Sequence, residues 1–151
     1  MLPKKIISVG GIGICLCFFF PTLTTLNAAD ITPPIITHID EVLKENPFKA
    51  GDKIQMIKIA QDDTISLFVV RQAEGFVVRR HYHKTHAESI YVIKGTAQMV
   101  IDEKWVDIKP GSIHFNPTGK VHSVKNTGNE PLVSLSVFTP PLKEPDRHFV
   151  E

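Results

Sequence analysis

Cysteine is nearly missing from this chain. Only Cys15 and Cys17 occur among 151 residues, and both fall within one apolar run near the N-terminus. Bulky Ile14 and Leu16 precede them, whereas lipid attachment wants a small residue just before the cysteine, so lipidation is not expected. Beyond that run there is no thiol, which excludes disulfides, thiolate metal ligands and a cysteine nucleophile. No G-x-S-x-G stretch is present, so hydrolysis through an activated serine has no motif to rest on. Excess charge is lacking too: 17 Lys and Arg stand against 16 Asp and Glu, a net charge of +1. That balance gives no electrostatic case for nucleic acid or an anionic membrane surface as a partner. Internal repeats and low-complexity tracts are also missing.

The N-terminus reads as a separate message. Lys4 and Lys5 give a basic start, residues 6–20 are almost wholly apolar, and Leu26-Asn27-Ala28-Ala29 offers small residues for cleavage. That three-part pattern predicts a secretory signal peptide over 1–28, cut after Ala28, and hence an exported protein, periplasmic or secreted. The apolar run is short of the ~20 residues that span a bilayer, with an uncleaved anchor as the alternative. Removing 28 of 151 residues leaves 123 and takes away two lysines and no acid, turning the net charge from +1 to −1. The remainder has the length of one compact domain and no segment for a membrane.

Residues 29–48 read as a leader and a short helix, with Thr37 as N-cap, Asp40 in its first turn and Pro47 ending it. From 49 to 151 the pattern is short apolar segments over 54–60, 65–71, 76–83, 89–93, 96–101, 105–108, 113–116, 121–126 and 132–139. Turn chemistry separates them at Asp62-Asp63, Glu74-Gly75, Lys94-Gly95, Pro110-Gly111, Pro117-Thr118-Gly119 and Gly128-Asn129. Many short strands at close spacing predict an all-β sandwich or barrel.

Two stretches carry chemistry. Residues 75–95 read GFVVRRHYHKTHAESIYVIKG, and 111–126 read GSIHFNPTGKVHSVKN. His81 and His83 in His-x-His spacing fall on one face of a strand, because side chains alternate with period two. A carboxylate past the next turn and a further imidazole from a later strand then close a cage around one divalent metal. Imidazole with carboxylate suits iron, manganese, nickel or zinc.

These stretches resemble the two motifs of the cupin superfamily, Gly75, His81, His83, Glu88 and Gly95 in the first, Gly111, Pro117, Gly119, His122 and Asn126 in the second. The resemblance implies a single-domain β-barrel of the jelly-roll type, with His81, His83, Glu88 and His122 as metal ligands inside it. It also implies pairing through outer sheet faces, so apolar residues on the unoccupied face, including Tyr91 and Ile93, point to a homodimer. One pair of motifs implies one barrel.

Alternation from His81 and His83 puts Arg79 inside too, unless a bulge intervenes. An inward guanidinium beside a metal would be a substrate-binding group for a carboxylate or phosphate. His86 reads as an exposed turn residue, with support of the site or proton transfer as the alternative. His114 reads as structural or rim-facing; His38 and His148 have no constellation around them. Three uses stay open: a metal-dependent dioxygenase, decarboxylase or isomerase acting on a small organic acid or phenolic compound, a binding or sensing protein that holds a small ligand unchanged, and an assembly module.

Overall fold

The computed structural model describes residues 31–101 and 103–150; the signal peptide expected over 1–28 lies outside them. No helix among the described residues is long and apolar enough to cross a membrane. Strands β1 (Ile54–Gln61), β2 (Ser66–Gln72), β4 (Ala87–Lys94), β7 (Ile113–Asn116) and β9 (Leu132–Thr139) form one antiparallel sheet in the order β1-β2-β9-β4-β7. A second sheet runs β6-β5-β8, built from β5 (Ala97–Ile101), β6 (Lys104–Ile108) and β8 (Val124–Asn126). The pair β3 (His81–Tyr82) and β10 (His148–Phe149) extends it, because His81 bridges His122 and Val77 bridges Lys125. The described residues thus form an all-β jelly roll with one short helix.

Strand alternation decides which residues fill the space between the sheets. On β2, Val70 and Gln72 face inward, as do Leu132, Ser134 and Ser136 on β9 and Glu88, Ile90 and Val92 on β4. The opposite parity faces outward, and part of it is covered. Helix α1 (Ile39–Glu45) lays Val42, Ile39 and Leu43 on Val69 and Val133, with Ile57, Ile59 and Ile93 around them. Val69 is fully buried there, and burying a side chain of that size stabilises by roughly 1.5–3 kcal/mol.

The start of α1 differs from the sequence reading and its end agrees with it. The N-cap residue is His38, in extended backbone with no side-chain capping bond, and Thr37 lies outside the helix. Packing on the sheet therefore holds this one-sided helix, as is usual for helices this short. It ends at Asn46, whose amide Nδ2 donates to Val42 O at 2.9 Å, one residue before Pro47.

The helix also changes the expected dimer face. Ile93 is packed beneath α1, so it is not part of a free surface. Tyr91 remains exposed, next to Ile113 and Phe115 across the β4–β7 ladder; the latter two are 78% and 60% exposed.

One turn depends on glycine outright. Gly95, between β4 and β5, has φ +85°, and a Cβ there would sit 3.0 Å from Leu132 Cα, on backbone that cannot yield. The strand that carries Glu88 thus turns tightly against the start of β9.

Candidate metal centre

The His-x-His segment enters the barrel with an irregular step. From Val77 opposite Lys125 to His81 opposite His122, the first strand advances four residues while its partner advances three. That is a β-bulge, with Arg80 at a bend. It resets the parity: Val78 and His81 both line the interior, and Arg79 does not. Arg79 is exposed, with its guanidinium 4.7 Å from the ring centre of Phe149. The expectation that Arg79 binds substrate inside the barrel is therefore corrected. Alternation holds from His81 to His83 and fails on the N-terminal side of the bulge.

His81, His83 and His122 converge, all buried, and can each offer one nitrogen within 4.8 Å of the others. The far ring nitrogens of two are tied to backbone carbonyls. His81 Nδ1 donates to Arg79 O and His83 Nδ1 to Asp146 O, each at 2.8 Å. Donation from Nδ1 fixes the tautomer and leaves the Nε2 lone pair for the interior, the usual support of a metal-ligating imidazole. His83 Nε2 is buried and makes no hydrogen bond of good geometry, although Glu88 Oε2 is 3.4 Å away. An unsatisfied imidazole nitrogen aimed at two other imidazoles fits a cation between them.

His122 is held differently. Its Nδ1 lies 2.7 Å from Asn116 Nδ2 and 3.3 Å from Lys120 O, and its Nε2 is 3.3 Å from Glu88 Oε2. With the amide in that orientation, Nδ1 accepts and Nε2 carries the proton toward Glu88. Turning the Asn116 amide over brings its oxygen to Nδ1, which then donates, and frees Nε2 for a metal. Asn116, inward on β7, thus joins the site; the sequence reading had not assigned it.

Glu88, on β4 and 7% exposed, lies outside the three-histidine cluster, with Oε2 3.4 Å from His83 Nε2 and 3.3 Å from His122 Nε2. Burial alone would raise its pKa, but its close contacts with His122 and His83 outweigh that and hold it well below the ordinary carboxylate range. His81 is pushed down to about 3, chiefly by burial and then by the neighbouring His122, with Arg147 and His83 adding to the effect against the Arg79 carbonyl.

These shifts set an acid response. Because His81 takes up a proton far below its ordinary 6.5, the unfolded chain binds more protons than the folded one throughout the interval between. Stability from that site is full above pH 6.5 and is lost as pH falls toward 3. Glu88, lowered from 4.5, adds its loss below that value. The melting temperature of EDTA-stripped protein is expected to fall steadily from about pH 7 to about pH 4, and His81→Gln to flatten the upper part of that fall. Calorimetric scans across the interval check this.

Of the remaining histidines, His86 is placed otherwise than expected. His86 is buried, with Nδ1 2.6 Å from Asp146 Oδ2 and Nε2 3.2 Å from Pro141 O; it pins the C-terminal segment to the turn after β3. The sequence held no sign of Asp146, which lies far outside both motifs. His114 pairs with Ile90 and shares the face of Asn116, with a buried Nε2 that has no partner. Burial, with His122 nearby, lowers its pKa. His38 occupies the N-cap position of α1 without a side-chain bond, and His148 stacks on Tyr82 with ring centres 5.2 Å apart.

The interior beside His81 and His122 is a cavity of about 50 Å³, room for a few water-sized groups. Apart from His81, His122 and Glu88, its walls are mainly aliphatic, from Met99, Ile108, Val124 and their neighbours, with Gln72, Ser134, Ser136 and Arg147 as polar exceptions.

Comparison with known proteins agrees with this geometry. A cupin domain model matches residues 68–138. An uncharacterized protein of Aquifex aeolicus is 32% identical over 120 residues, 80% of this chain and 96% of that one. The quercetin 2,3-dioxygenase of Bacillus subtilis is 32% identical over 98 residues, and a glucose-6-phosphate isomerase of Thermococcus onnurineus is 35% identical over 72. The matches cover 63% and 43% of this chain, but only 29% and 38% of those two enzymes. Among solved structures, a conserved protein with a double-stranded beta-helix domain from Klebsiella pneumoniae superposes with a TM-score of 0.60 at 21% identity, covering 72% of this chain and 91% of that one. The jelly roll with three convergent histidines and the matches along its strands have one explanation: the chain belongs to the cupin superfamily.

Proposed function

We propose that this cupin is a metal-dependent enzyme whose substrate is a small organic acid or phenolic compound, with oxygenation, decarboxylation or isomerisation as its reaction. One observation carries the reading: three buried imidazoles turned toward a common point, with buried Glu88 against two of them, at the end of an apolar cavity. His81, His83 and His122 would hold a divalent transition metal (iron, manganese, nickel or zinc), with Glu88 as a fourth ligand. The metal would supply Lewis acidity or a centre for oxygen chemistry. The aliphatic walls exclude water, and Gln72, Ser134 and Ser136 orient polar groups. Relatives that include a dioxygenase and an isomerase support enzymatic use over an assembly role. The test is elemental analysis of the purified protein, followed by an oxygen-consumption and product screen against small acids and phenols. Stoichiometric metal with turnover of one class is the expected result. Metal with ligand binding and no turnover would move the reading to a binding or sensing protein, and absence of metal would end it.

The exported location is part of the same proposal and rests on Lys4, Lys5, the apolar run 6–20 and Ala28-Ala29. Mass spectrometry of the protein from its native host is expected to find an N-terminus at Ala29; soluble material that begins at Met1 would overturn it. A second copy is the partner proposed for the exposed Tyr91, Ile113 and Phe115 face, since one two-fold contact would cover the same apolar patch on both chains. Phe115→Glu is expected to shift sedimentation from dimer to monomer, and a monomeric unsubstituted protein would refute the pairing.

A further inference from the structure

The segment after β9 recrosses the mouth of the barrel and brings a cation that neither motif contains. Two clamps hold it. Asp146 is bonded to the turn after β3 through Thr85 and His86, and β10 pairs with β3, with Val150 N donating to Arg80 O. Between the clamps lies Arg147. Its side chain lines the inner cavity with His81, His122 and Glu88, and also lines a groove of about 410 Å³ that runs beneath the C-terminal segment. Only Met56 shares that double position, and Arg147 Nη2 lies 4.0 Å from its sulfur. Arg147 therefore stands where the cavity opens.

Glu88 lines the same cavity but does not reach salt-bridge distance of Arg147. Nε is buried without a hydrogen-bond partner, and among the described residues no carboxylate pairs with the guanidinium. Asp146, adjacent in sequence, is taken up by Lys84, Thr85, His86 and His148. A half-buried guanidinium with an unsatisfied donor is costly unless an anion meets it, and its planar fork matches a carboxylate.

We propose that Arg147 is the substrate-anchoring residue of this pocket, holding the carboxylate of a short-chain organic acid at the cavity mouth while the rest of the molecule points toward the three histidines. The small inner volume favours a short acid over a fused-ring phenolic. The proposal rests on the small-acid reading above and narrows it.

Pyruvate and its uncharged amide serve as probes, titrated calorimetrically into the protein as purified and again after EDTA stripping. Pyruvate is expected to bind and the amide to bind at least tenfold more weakly. Arg147→Met is expected to weaken pyruvate by about tenfold or more, the effect of losing a charge-assisted bond. Arg147→Lys should recover part of it, and Arg79→Met should change nothing. Metal content and melting temperature are measured on every variant, and Arg147→Gln replaces the Met variant if that one does not fold. Equal pyruvate affinity in the unsubstituted protein and the folded Arg147 variants overturns the proposal, as does an unsubstituted protein that does not bind pyruvate. If the protein carries no metal yet loses pyruvate on Arg147→Met, the anchoring stands and the metal-enzyme reading falls.

Discussion

His81→Ala combined with His83→Ala is expected to purify with no bound metal from conditions that load the unsubstituted protein stoichiometrically. Both imidazoles present Nε2 to the same point as His122, and both have Nδ1 engaged by a carbonyl at 2.8 Å. Losing a partner that merely orients a ligand costs about 10–100-fold in metal affinity, so losing two ligands must cost more than that. Single substitution of any of the three histidines is expected to lower occupancy sharply. Glu88→Ala is expected to act more weakly, since three imidazoles remain. His38→Ala and His148→Ala, both away from the cluster, are expected to leave occupancy unchanged. Metal analysis with a competing chelator measures all of these, and stoichiometric metal in the double variant would refute the assignment. Affinity is also expected to fall toward acid, because a protonated imidazole cannot ligate.

The sequence made much of this legible because its strongest signals are local. His81 and His83 needed only period-two alternation, and the strand boundaries at 113–116 and 132–139 agree with β7 and β9 because turn residues bracket them. Arg79 was misplaced for a reason the same rule contains. Alternation is reliable only along an unbroken ladder, and nothing in Phe76-Val77-Val78-Arg79-Arg80 announces the extra residue that the bulge inserts before His81. Ile93 was assigned to a free surface because parity says which side a residue faces, not what lies over that side; α1 covers it. The largest omission was the C-terminal segment. Its two-residue strand has no periodicity to read, and its hold on the site is a set of contacts between residues about sixty positions apart. Such contacts are set by tertiary closure and leave no trace in a short window.

That segment gives the other large expectation, for Asp146→Ala. Four groups in the turn between β3 and β4 converge on this carboxylate: Lys84 N at 3.1 Å, Thr85 N and Oγ1 at 2.8 Å each, and His86 Nδ1 at 2.6 Å. Partial burial would raise its pKa, but these bonds outweigh burial and hold it far below the ordinary range. The contribution is therefore present above about pH 3.8, the ordinary value, and is lost as acid protonates the folded carboxyl. Meanwhile its own backbone carbonyl accepts from His83 Nδ1 at 2.8 Å. One residue thus clamps the segment with its side chain and orients one of the three clustered imidazoles with its main chain. Asp146→Ala leaves buried His86 without its anion, a loss of about 1.5–3 kcal/mol for a charged hydrogen bond. With the clamp gone, the carbonyl is free to leave His83, and metal affinity is expected to fall by about 10–100-fold. Asp146→Asn keeps one acceptor and should lose less of both. Glu144→Ala, exposed on the same segment, should lose neither. Thermal unfolding and chelator competition on the same samples separate the two effects. A destabilised Asp146→Ala protein with unchanged metal affinity would show that the carbonyl holds His83 without help from the carboxylate, and that the segment braces the fold and not the metal site.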